Sequence, residues 1–162
     1  MTSRDDFTPV EWALLTELPV RIVAASVQAE PTGEISTIKE LVTGLTSLSE
    51  GAAVSRDNAL LQAVFDAYKQ DGLGEQQALE LSEQGIARLI PDTIERCRQV
   101  SEILAAKAEP DEAEEFKRWL YSTAERIASA ASTGGFLGIG GQRISDAEAD
   151  FLAQLAEALG IE

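Results

Sequence analysis

Apolar positions recur along this chain at three- and four-residue spacing, and no stretch keeps the strict alternation of a strand. The first helix opens in "FTPVE". Thr8 caps it, Pro9 occupies the first turn where its missing N–H costs nothing, and Glu11 completes a capping box. Trp12, Leu15, Leu18, Ile22 and Val23 then form a stripe, and Pro19 inside it is expected to kink or split the helix. "AEPTGEI", with Pro31 and Gly33, ends the segment. In "STIKELVTGLTSLSEG", Ile38, Leu41, Val42, Leu45 and Leu48 fall on one face and Gly51 is read as the stop.

Ser55 is expected to cap a third helix running to about Lys69, with Leu60, Leu61, Val64, Phe65 and Tyr68 inward and "QDGLG" closing it. From Glu75 to about Ala108 the pattern predicts two helices. Leu79, Ile86 and Leu89 mark one; Ile94, Cys97, Val100, Ile103 and Leu104 mark the other, with Pro91 of "IPD" opening it. "EPDEAEEF" begins the next, facing inward with Phe116, Trp119, Leu120, Ile127 and Ala131; its acidic first turn suits the positive end of the helix dipole. After a glycine-rich loop, Ser145 to Glu148 form a second capping box, and Phe151, Leu152, Leu155 and Leu159 complete the core. The expected fold is all-α, a compact bundle of about seven helices in a single domain spanning residues 1–162.

Composition narrows the chemistry. At 162 residues and 44% apolar content the chain can bury a real core. Its 28 acidic against 13 basic residues give a formal net charge of −15, a field that repels phosphate backbones and anionic lipid. Nucleic acid and membrane are therefore not expected as partners, and a protein partner is left open. The chain has no histidine, which removes histidine-dependent triads, imidazole zinc sites and histidine acid–base catalysis. Cys97 is the only cysteine, so no internal disulfide forms; its place between Ile94 and Val100 reads as a buried core thiol. "MTSRDDF" lacks the basic and apolar regions of a signal peptide, and no apolar run is long enough to span a bilayer, so a cytoplasmic location is expected.

Two regions echo one another. "RIVAAS" (Arg21 to Ser26) and "RIASAAS" (Arg126 to Ser132) each lead through a turn-rich loop to an Ile-Ser pair, Ile35-Ser36 and Ile144-Ser145. The repeat halves would be residues 7–51 and 112–160, two related helix–loop–helix units. An Ala-rich helix, a glycine loop, Ile-Ser and an acidic residue three further on resemble the TerB-like (tellurite-resistance protein B) all-helical domains, which read "A-D-G-x-I-S-x-x-E". In the first copy Ala29, Gly33, Ile35 and Ser36 match; Glu30 stands for the aspartate, Pro31 and Thr32 are inserted, and Lys39 takes the acidic place. In the second copy Gly141, Ile144, Ser145 and Glu148 match without an upstream aspartate. The resemblance implies a helical module associated with stress or tellurite resistance, with metal bound through loop carboxylates. The two aspartates that would serve it are absent, and no metal site is assigned.

The glycine loop holds the candidate contact residues: Gly134, Gly135, Phe136, Leu137, Gly138, Ile139, Gly140 and Gly141. Gln142-Arg143 stand where a phosphate cradle needs Lys-Ser/Thr, and a helix precedes the loop where a strand is required. Its first reading is a hairpin end over which Phe136, Leu137 and Ile139 pack; its second is a surface for a partner. Asp111, Glu112, Glu114 and Glu115 read as a solvated helix start, since no calcium-loop or di-iron spacing accompanies them. Trp12 and Trp119 read as core or half-buried, and Glu17 and Glu125 are the carboxylates that could lie between helices. The leading expectation is a non-enzymatic interaction or stress-associated module without cofactor. The alternatives are a carboxylate-based divalent-metal-binding protein and, behind it, a metal-dependent hydrolase. The sequence leaves the oligomeric state open.

Overall fold

The computed structural model describes residues 1–29, 34–70, 86–132 and 144–161. Among them the only regular elements are helical: a short 3-10 turn at Arg4–Asp6 and six α-helices, α1 (Pro9–Ala29), α2 (Glu34–Val54), α3 (Ala59–Gln70), α4 (Ile86–Lys107), α5 (Pro110–Ser132) and α6 (Asp146–Leu159). The all-α expectation holds. The glycine loop, the segment around Pro31 and Gly33, Leu79 and the side chains of Ile35, Ser36, Ile86 and Ala131 lie outside the described residues.

α1 is the central helix. It is buried almost all round, through Leu15, Leu18, Val20, Ile22, Val23, Ala24, Ala25 and Val27, and it touches each of the other five helices. A helix apolar on every side is stable only inside others. Of the kink or split expected at Pro19, the split does not occur: the helix is continuous through it, with Pro19 itself buried. A proline in a helix interior costs about 3 kcal/mol, whereas each fully buried Leu or Ile contributes roughly 1.5–3 kcal/mol. The apolar side chains of α1 outweigh the proline. Pro91 likewise fails to open a helix and lies inside the continuous α4.

Thr8 and Glu11 cap α1 reciprocally, as predicted: the Thr8 N–H donates to Glu11 Oε2 at 2.7 Å, and the Glu11 N–H donates to Thr8 Oγ1 at 3.3 Å. Ser145 and Glu148 do the same for α6, which ends at Gly160 in the left-handed conformation at φ 70°. Ser55, however, does not cap α3. Asn58 does, its Oδ1 accepting the Leu61 N–H at 2.9 Å, so the helix starts three residues later than expected.

α2 and α5 lie antiparallel. Gly51 faces Trp119, while Gly44 faces Ile127 further along α5. A Cβ on Gly44 would stand 2.7 Å from Val23 Cγ1 and 2.8 Å from Ile127 Cδ1, and one on Gly51 would overlap the Trp119 indole. Gly51 is therefore a packing residue and not a helix stop; α2 continues to Val54. The buried residues of α2 are Glu40, Leu41, Gly44, Ser47, Leu48 and Ala52 among the described side chains. Ile38 and Val42, expected inward, are 59% and 52% exposed, because the close approach at the glycines turns them outward.

Candidate functional site

The face shared by α2 and α5 carries an open groove of about 580 Å³. Trp119 forms its floor. The indole Nε1–H donates to the Leu48 carbonyl at 3.0 Å, Phe116 lies 5.6 Å away centroid to centroid, and Phe65 meets it edge-on at 6.4 Å and 87°. These contacts and Gly51 hold the ring in one orientation. Thr123 beneath it is buried, its hydroxyl donating to the Trp119 carbonyl at 2.9 Å. Val54, at the last turn of α2, forms one wall and is 85% exposed.

The rim is ionic and balanced. Arg126 pairs with Glu50 across the two helices at 2.6 Å. Arg118 pairs with Glu114 one turn before it, and Glu115 accepts the Asn58 Nδ2–H at 3.0 Å. The arrangement offers an aromatic floor, an aliphatic wall and charged pairs at the edge. The Thr123 hydroxyl is committed to a backbone carbonyl.

The acidic run at the start of α5 does more than face water. Glu112 Oε2 accepts the Thr2 N–H at 2.7 Å and Oε1 accepts the Ala59 N–H at 3.1 Å, while the Glu112 carbonyl accepts Asn58 Nδ2–H at 3.0 Å. One residue thus ties the N-terminal segment, the start of α3 and the first turn of α5. Burial pushes its pKa up, but hydrogen bonds from Thr2 and Ala59, with the N-terminal ammonium, outweigh burial and hold the carboxyl below its ordinary range. Glu112 and Glu115 are structural, which corrects the reading of a wholly solvated helix start. Asp111, Glu114 and Glu115 share a shallow depression with Arg118, whose guanidinium pairs with Glu114. Among the described residues no group of three or more Cys, Asp or Glu gathers so as to hold a metal ion.

The remaining candidates fall as follows. Cys97 is buried, and loss of solvation pushes its thiol up to about 12, with Arg98 opposing weakly. Trp12 is half-buried against Phe7, with the Arg4 guanidinium 5.2 Å over its ring. Glu17 does lie between helices, pairing with Arg96 of α4 at 3.2 Å; Glu125 is exposed. Glu40, which carries no sequence signal, and Glu148, expected as a capping-box residue, are buried carboxylates. Glu148 carries a signal for this, since the N3 position of a capping box turns its carboxylate back to the Ser145 N–H, here at 3.0 Å. Arg21 on α1 was also missed. Its Nε is shielded from solvent without a hydrogen-bond acceptor, and burial and the nearby Arg96 lower its pKa against the pull of Glu17 and Asp92. The contact residues expected in the glycine loop, Gly134 to Gly141, lie outside the described residues. No helix among the described residues is long and apolar enough to cross a membrane.

Comparison of the chain with family models, with curated proteins and with solved structures gives no match.

Proposed function

We propose that the protein is a non-enzymatic interaction module that takes a segment of a protein partner into the α2–α5 groove. The observation that carries this reading is the exposed Val54 beside a Trp119 fixed by a hydrogen bond and two aromatic neighbours. Rigid aromatic floors with arginines at the edge are the composition of protein contact sites. A paired, balanced rim inside a chain of net charge −15 suits a polypeptide better than a polyanion. Association with stress or tellurite resistance, in the manner of the TerB-like domains, is the setting we propose for it, with a cytoplasmic location. The glycine loop, with Phe136, Leu137 and Ile139, is the second proposed contact element.

Photo-crosslinking from an unnatural benzophenone residue at position 54 in living cells tests the reading. A discrete adduct with the same protein in repeated experiments, lost on Arg126→Glu, is the expected result. Adducts no different from those at exposed Val10 on α1 would overturn it. Elemental analysis of the natively purified protein addresses the alternative: a stoichiometric divalent metal would favour the carboxylate metal-binding reading.

A further inference from the structure

A second concavity lies at the junction of three helix ends. The last turn of α4 brings Leu104 and Ala105, with Ala108 just after it; the first turns of α5 bring Ala113, Lys117 and Arg118; Gly160 and Ile161 follow α6. The small residues on all three elements leave a cavity of about 440 Å³, within the roughly 300–1,000 Å³ of small-molecule sites. Its accessible apolar lining comes from Ala105, Ala108, Pro110 and Ile161, over the buried Leu104 and Ala113. Its cations are the unusual part. Acidic side chains outnumber basic ones by 28 to 13, and Lys69, Arg96, Arg98, Lys107, Arg118 and Arg126 each find a carboxylate, while Lys39 and Arg88, which find none among the described residues, are exposed. Lys117, half-buried at this cavity, has neither an ion pair nor a hydrogen bond among the described residues, although Glu114 lies one turn away. Glu114 is taken by Arg118, so the lining carries two cations against one carboxylate in a chain that is otherwise strongly negative.

We propose that this cavity binds a small amphipathic carboxylate, with the head group on Lys117 and the hydrocarbon chain over Ala105, Ala108 and Ile161. An ammonium left without a partner at the edge of an apolar floor is stabilised by an anion, and the floor removes an aliphatic tail from water. A carboxylate head alone would leave the floor wet, and an aliphatic cation would meet Lys117 and Arg118 as like charges. Ligand and cavity are therefore matched in both halves. The site shares Arg118 with the rim of the α2–α5 groove, has an otherwise separate lining, and does not depend on the role proposed for that groove.

Titration of the isotope-labelled protein with sodium octanoate, followed by amide chemical shifts, tests the assignment. Shifts confined to residues 104–108, 113–118 and 160–161 are expected, saturating in the millimolar range or below. Octylammonium and acetate should not reproduce them. Lys117→Gln should weaken octanoate about tenfold, the effect of one charge-assisted contact, and Lys117→Arg should restore most of it. Ala108→Leu, which fills the floor, should abolish saturation while the amide spectrum stays dispersed. No movement of the cavity amides with octanoate, equal movement with acetate or octylammonium, or unchanged affinity in a folded Lys117→Gln protein would each overturn the proposal.

Discussion

Replacing Gly51 by alanine sets two effects of opposite sign against each other. Gly51 lies inside α2, where alanine is favoured over glycine by about 1 kcal/mol. The new methyl, however, would overlap the Trp119 ring and stand 2.7 Å from its Nε1. The indole cannot simply swing away, since Phe116 and Phe65 flank it and its N–H is bonded to Leu48. Overpacking of this kind costs about 1–3 kcal/mol, and a buried N–H pulled off its acceptor adds about 1–3 kcal/mol. With the propensity gain subtracted, the net expectation is a loss of about 1–5 kcal/mol. Urea unfolding measures it, with the exposed Ser49→Ala as a control for propensity alone. A double-mutant cycle with Trp119→Leu identifies the obstacle: the Gly51→Ala penalty should shrink by at least about 1 kcal/mol when the indole is gone. A Gly51→Ala protein as stable as wild type, or stabilised by the full propensity gain, would refute the tight approach of α2 to α5 and the fixed floor of the groove with it.

Three further outcomes follow from the same contacts. Asn58→Ala should cost about 1–2 kcal/mol as a lost N-cap, while Ser55→Ala should stay within about 0.5 kcal/mol, both measured by urea unfolding. Glu112→Gln should destabilise by about 1–2 kcal/mol at neutral pH through its bonds to the Thr2 and Ala59 amides. Its folded pKa lies below the ordinary 4.5, so its contribution is complete above that value and is lost as the pH falls through the folded pKa; wild type and variant should converge in thermal melts carried into that acid range. Cys97, buried and with its thiol at about 12, should resist alkylation in the native protein and react fully only in denaturant; rapid native labelling would contradict its burial.

The helices legible in the sequence are those whose ends carry chemical signals and whose faces are sharply divided. α5 and α6 are of this kind, with Pro110 and Ser145 at their starts and Phe116, Trp119, Leu120, Phe151 and Leu155 inward. α2 was misread because its inward face is partly made of glycine and serine. Gly44, Ser47 and Gly51 contribute no hydrophobic periodicity, yet they decide which face meets α5 and leave Ile38 and Val42 outside. Pro19 and Pro91 were misread because a local rule was applied where tertiary packing sets the balance. Of the groove, Trp119 was visible as an apolar position. Its partnership with Gly51 and Val54 was not, since contacts across an antiparallel helix pair leave no spacing to recognise. Lys117 had no signal at all, because a lysine in an acidic helix reads as a salt bridge.

The burial of α1 on every side also explains where concave sites arise in this fold. A central helix touching all five others fills the interior with Leu, Ile, Val and Ala, and little space is left there for a polar ligand. Openings form instead where that arrangement runs out. One lies along the outer face, where glycines draw α2 against α5 and leave a channel beside Val54; the other lies where α4, α5 and α6 end on small residues. Both owe their shape to Gly and Ala, and their charge to arginine or lysine drawn from a scarce supply of 13 basic residues. The same logic accounts for the Glu112 anchor. Where α3 and the N-terminal segment meet the start of α5, exposed helix-start amides need acceptors, and a carboxylate in the first turn of α5 supplies two from one side chain. Surplus acid in this chain is thus partly structural: a glutamate at that junction joins three segments, beside the Asn58–Glu115 and Glu109–Thr2 hydrogen bonds.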